Sequence, residues 1–65
     1  MNYAKLTKRL REKLILTQTE FAEQLGVSFT TICRWENGTH EPTMKLKRTI
    51  VELCKENNID LASEG

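Results

Sequence analysis

Apolar residues recur at three- and four-residue intervals along this chain, and a few breakers cut that rhythm into four short runs. In the first run Tyr3, Leu6, Leu10 and Leu14 fall on one stripe at about 100° per residue, with Lys5, Lys8 and Glu12 opposite. The pattern predicts a helix over about 3–14, with Asn2 as its N-cap. The second run opens with Thr17-Gln18-Thr19-Glu20, the spacing of a capping box, in which the Thr17 hydroxyl accepts from the Glu20 amide and the Glu20 carboxylate reaches back. Phe21, Ala22 and Leu25 supply its inward face. Gly26 ends it, giving a helix over about 18–25, because only glycine enters the left-handed region without penalty. Ser28 then caps a third helix, about 29–37, which Asn37-Gly38 stops.

Pro42 and the N-cap candidate Thr43 open a fourth helix, about 43–57, built on Leu46, Ile50 and Leu53. It is expected to fray near Asn57-Asn58. The tail, 58–65, is expected to be short and to fold back through Ile59 and Leu61. No segment alternates with the period of two that a strand needs. The fold class read from the pattern is therefore all-α, a single compact four-helix domain over residues 1–65.

Length sharpens that picture. A 65-residue domain leaves about a third to two fifths of its surface unburied, so its core must be small and tightly packed. An apolar content of 38% with 29% charged residues fits a globular chain and not a disordered one. The longest apolar stretch, Leu14-Ile15-Leu16, is too short for a membrane span or a signal peptide. Cys33 and Cys54 form neither a disulfide framework nor a zinc pattern, and the lone His40 cannot complete a metal site. Two reduced thiols in a cytoplasmic protein without metal or cofactor are the expectation. The net charge is only +1, but residues 1–16 carry five basic side chains against Glu12, whereas the segment from Cys54 onward is acidic.

A short capped helix, a tight glycine turn and a second capped helix of similar length make a helix-turn-helix unit. On the second of these helices Ile32 and Trp35 face one way, and Thr30, Cys33, Arg34 and Asn37 face the other. Solvated faces usually carry Glu and Lys. This one carries short polar groups and one guanidinium, which suits a groove about 12 Å wide.

The run from Leu16 to Gly38 resembles the Cro/C1-type, Xre-like helix-turn-helix family of phage repressors. Gln18, Ala22, Gly26, Val27, Ser28, Ile32, Trp35, Glu36, Asn37 and Gly38 stand where that family's pattern expects them. With the first helix and the Pro42-Thr43 start of the fourth, the resemblance covers about residues 3–55. It implies a lambda-repressor-like fold that binds double-stranded DNA sequence-specifically, with the helix after Ser28 in the major groove, and a role in transcription regulation. It also implies positions for individual residues. Arg34 faces bases or phosphates, and Gln18 meets a backbone phosphate or a neighbouring side chain. Thr30, and less directly Thr31, touch base edges or phosphates, while Asn37, Thr39 and His40 pass near phosphate. Asn37 reads equally well as the residue that ends the helix. Glu36 pairs with Arg11 of the first helix, a structural contact that, if partly exposed, contributes only about 0–1 kcal/mol. Trp35 belongs to the core.

Two positions depart from the pattern. Ile15 stands where the family often has Gly or Asn, and Phe29 stands where a polar base-reading residue is common. The residues leave open whether Phe29 touches a thymine methyl or packs sideways. Cys33 reads as an inert groove-facing residue in preference to a redox sensor.

An enzyme lacks its parts here: there is no nucleophile elbow, no phosphate-cradling loop and little room for a cleft. No small-molecule ligand is evident. The rival to DNA binding is a protein-interaction module that kept the fold. Recognition of double-stranded RNA ranks behind both, because its major groove excludes a helix. Tight DNA recognition is expected to need two copies, with the fourth helix, Ile59 and Leu61 offering the apolar surface for a homodimer.

Overall fold

Three of the four helices start on a side chain that takes a backbone amide. In the computed structural model, which describes residues 2–59, Asn2 Oδ1 accepts from the Lys5 amide at 3.2 Å and opens α1, Tyr3–Lys13. Thr17 opens α2, Gln18–Leu25, with both halves of the capping box formed: Thr17 Oγ1 accepts from the Glu20 amide at 3.1 Å, and Glu20 Oε1 accepts from the Thr17 amide at 2.9 Å. Ser28 Oγ accepts from the Thr31 amide at 3.2 Å ahead of α3, Phe29–Asn37. The fourth start differs. Thr43 precedes α4, Met44–Glu56, with the extended backbone of an N-cap but without a side-chain capping bond. The first and fourth helices are thus each slightly shorter than the hydrophobic pattern suggests.

All four helices stop by the same device. A residue with positive φ follows the last turn, and the residue after it donates its amide five positions back, the Schellman arrangement. The left-handed residues are Ile15 (φ 57°), Gly26 (72°), Gly38 (79°) and Asn58 (58°). The closing bonds run from Leu16 to the Arg11 carbonyl at 3.1 Å, Val27 to Ala22 at 2.9 Å, Thr39 to Arg34 at 3.1 Å and Ile59 to Cys54 at 2.9 Å. Nothing would crowd a Cβ at Gly26 or Gly38, so it is the backbone angle and not space that calls for glycine there. α4 ends at the Asn57-Asn58 pair, where its end was expected. Asn57 Nδ2 donates to the Leu53 carbonyl at 2.8 Å, and Asn58 takes the left-handed turn.

After three of these stops the closing residue is apolar and returns the chain to the core. Leu16 and Val27 pack against the central cluster, and Ile59 is buried within it. The burial of Ile59 agrees with the expected fold-back of the tail at that residue and removes it as a surface for pairing two copies. Leu61 lies outside the described residues. The remaining core is Leu6, Leu10, Phe21, Ala22, Ile32, Trp35, Ile50 and Cys54, which draws on all four helices. α3 packs against both α1 and α2, and α4 packs against α1, in a body of 27 × 22 × 19 Å. Among the described residues there is no strand.

Candidate nucleic-acid interface

The inward side of α3 is anchored by Ile32 and Trp35, both buried, which fixes what the opposite side presents. Phe29, Thr30, Arg34 and Asn37 are all exposed. The side chains of Thr30, Arg34 and Asn37 have no hydrogen-bond or ion-pair partner among the described residues, so their donors and acceptors are available to a ligand. Phe29 is half exposed and lies outside the core cluster.

The remaining candidates are engaged. Thr31 is half-buried, and its hydroxyl lies 2.8 Å from Ser28 Oγ, reinforcing the start of α3. Thr39 follows α3 and donates its hydroxyl to the Arg34 carbonyl at 3.2 Å. It is the one polar residue among the four closing positions, and it is exposed where its counterparts turn inward. His40 stands beside it, Nδ1 3.4 Å from Thr39 Oγ1. Asn37 is the last residue of α3, immediately before the left-handed Gly38.

Beneath this surface lies a polar network that sets the angle of α3. Arg11 Nε donates to Glu36 Oε2 at 2.8 Å and Arg11 Nη2 to Glu36 Oε1 at 3.2 Å. Gln18 Nε2 donates to the same Glu36 Oε1 at 3.1 Å, while Gln18 Oε1 lies 3.8 Å from Cys33 Sγ. Gln18 therefore meets neighbouring side chains at both ends of its amide. Cys33, expected to face outward, is half-buried against Gln18. The Glu36 hydrogen bond, aided by charge attraction, raises the Arg11 pKa above its usual value against an opposing effect of burial. Sequence reasoning allowed Gln18 a neighbouring side chain, the alternative seen here, but missed Leu16 as a member of this network. A backbone carbonyl such as that of Leu16, which accepts from Arg11 Nη1 at 3.1 Å, leaves no mark in residue types.

No group of three His, Cys, Asp or Glu side chains gathers among the described residues in a way that could hold a metal ion. None of the described helices is long and apolar enough to cross a membrane.

Residues 8–62 of the chain match the family model described as helix-turn-helix. A 55-residue stretch is 41% identical to the type II methyltransferase M.SsoII of Shigella sonnei, covering 80% of this chain and 14% of that protein. The chain thus corresponds to a small part of that relative's length. No solved structure matches the chain.

Proposed function

Because this chain belongs to the Cro/C1-type helix-turn-helix family, we propose that it binds double-stranded DNA in a sequence-specific manner and regulates transcription. The observation that carries the reading is the two-sided character of α3. Ile32 and Trp35 are locked inward, and the exposed face offers a guanidinium, a hydroxyl and an amide without partners. Such groups match the donors and acceptors that base edges present in the major groove. In this reading Thr39 and His40, where the chain leaves α3, approach a phosphate as the helix docks. Gln18 reaches the backbone only by sharing or releasing its contacts with Glu36 and Cys33.

The domain binds and does no chemistry in this reading. In the methyltransferase of Shigella sonnei the matched stretch is 14% of the protein, so any catalysis by a longer chain would lie elsewhere. One such domain buries only about 600–1,000 Å² on DNA, so the specific complex uses two copies on a dyad-symmetric site. Their half-sites would be about 34–36 Å apart, one turn of the duplex. With Ile59 committed to the core, exposed Met44 with half-buried Tyr3 and Val51 beside it offers apolar surface for a partner copy among the described residues.

The test is in vitro selection of duplexes from a random pool, followed by titration of the winners and of random duplex at increasing salt. Binding to both should fall steeply as salt rises, because each neutralised phosphate releases counterions. An enriched motif should show two-fold symmetry. Absence of any salt-dependent binding to duplex would reject the reading in favour of an interaction module that kept the fold.

A further inference from the structure

One member of the exposed α3 surface has no hydrogen-bonding chemistry at all. Phe29 is the first residue of α3, directly after the capping Ser28, and it is 50% exposed. It takes no part in the cluster that buries Phe21, Ile32 and Trp35. A lone exposed apolar residue is ordinary on a protein surface. This one is distinguished by position, because the N-terminal residues of a groove-entering helix are those that meet base edges. Its backbone is also held in place by Ser28 Oγ, which accepts from the Thr31 amide and lies within hydrogen-bond distance of the Thr31 hydroxyl. The major groove offers an apolar mark of its own, the methyl group on C5 of thymine, and Phe is among the side chains that can contact it.

We propose that Phe29 reads the C5-methyl group of a pyrimidine at one position of the bound site. The inference rests on the reading of α3 as the groove-facing helix. Thymine and 5-methylcytosine carry this methyl on the same ring carbon, so both satisfy the contact. At that base the domain would prefer thymine to uracil and 5-methylcytosine to cytosine.

The experiment takes the duplexes recovered by selection and replaces each dT by dU, one position at a time. Wild type, Phe29→Ala and Phe29→Leu are titrated against each duplex, with a melting curve for every variant to establish that it folds. At one position dU should weaken wild type about three- to ten-fold and Phe29→Ala by less than about two-fold, with Phe29→Leu between them. A second arm puts cytosine, then 5-methylcytosine, at that position. Recovery by 5-methylcytosine in wild type, but not in Phe29→Ala, shows that the methyl group itself is read. Failure to recover, with the dU effect intact, assigns the contact to thymine alone. If dU costs wild type and Phe29→Ala the same factor at every position, the inference is overturned while DNA binding stands. If selection enriches no duplex, the groove reading falls and takes this inference with it.

Discussion

Arg11 holds both carboxylate oxygens of Glu36, with Nε 2.8 Å from Oε2 and Nη2 3.2 Å from Oε1, and its remaining nitrogen donates to the Leu16 carbonyl at 3.1 Å. One side chain of α1 thus fixes the far end of α3 and also ties down the turn that closes its own helix. With side chains only 16% and 7% exposed, the pair is nearer to a buried contact than to the partly exposed pair expected from the sequence. Arg11→Ala would leave Glu36 buried with Gln18 as its remaining partner, and should cost about 2–4 kcal/mol. Arg11→Lys keeps the charge but not the fork, and should recover only part of that loss. Urea midpoints at constant slope measure both. A loss below about 0.5 kcal/mol for Arg11→Ala would class the pair with exposed ones after all.

Ile15 is a β-branched residue in the left-handed region, at φ 57°, and 89% exposed. Its side chain gains almost nothing from burial, while its backbone carries a strain of about 1–2 kcal/mol that Gly or Asn would relieve. Ile15→Gly should therefore stabilise the domain by about 0.5–1 kcal/mol, after allowing for the greater freedom of glycine in the unfolded chain. Thermal melting of the two proteins side by side checks this. Destabilisation by Ile15→Gly would mean that the side chain makes a contact its exposure conceals.

The capped starts and the glycine stops were legible because each depends on the residue type at a single position. Thr17 with Glu20, and Gly26 and Gly38, carry their geometry in their own chemistry. The stop at Ile15 was harder to read, since a β-branched residue disfavours the conformation it holds, and the backbone closure from Leu16 to Arg11 and the Arg11 side chain on the Leu16 carbonyl hold it there. Ile59 carried two expectations, fold-back and pairing, for a related reason. As an apolar residue just past a helix it could cover the core or a partner, and the left-handed turn at Asn58 directs it to the core. At the interface, periodicity separated Trp35 from Arg34 correctly by face. It could not show that Thr31 spends its hydroxyl on Ser28, or that Gln18 and Cys33 are drawn beneath the surface, because those contacts depend on how α2 and α3 lie against each other.

Thr7 is completely buried in α1, and its hydroxyl has no hydrogen-bond partner among the described residues. Thr7→Val keeps the shape and the β-branch while removing the unpaired polar group. It should raise stability by about 1 kcal/mol. The comparison is with Thr7→Ser, which keeps the hydroxyl and loses a buried methyl, and should destabilise. If Thr7→Val melts lower than wild type, the hydroxyl has a partner in solution.

Glu20 connects stability to pH. Its hydrogen bonds with Thr17, the one from the Thr17 backbone amide foremost, hold its pKa below the ordinary 4.5, so the folded state favours the ionised carboxylate. The resulting stabilisation is fully present above 4.5 and is lost as pH falls through the lowered folded value. Glu20→Gln keeps an acceptor for the Thr17 amide but has no charge to titrate. The difference in melting temperature between wild type and Glu20→Gln should be constant near neutrality and shrink below about pH 4.5. A gap independent of pH across that range would show that the carboxylate's charge adds nothing to the cap.

The outward face of α3 makes a sharper demand of Arg34 than of any other residue. Its guanidinium is exposed and without a partner among the described residues, while its own carbonyl is held by both the amide and the hydroxyl of Thr39. The backbone at Arg34 is therefore fixed and the side chain is free to reach, a combination suited to a guanine presenting O6 and N7 side by side. Loss of such a two-pronged contact costs about 1–3 kcal/mol at one base pair. Arg34→Ala should weaken the best selected duplex far more than random duplex, and should relax preference at a single base. Arg34→Lys keeps the positive charge without the planar fork, so binding to random duplex should survive while discrimination falls. Trp35→Ala, one residue along but facing the core, should act differently. It empties buried volume worth about 3–5 kcal/mol, lowering the melting temperature first and binding only as a consequence. Competition titrations against specific and random duplexes, with melting curves alongside, separate the three variants. Should Arg34→Ala reduce both affinities by one common factor, Arg34 touches phosphate only, and the sequence preference must come from Phe29, Thr30 or the shape of the groove.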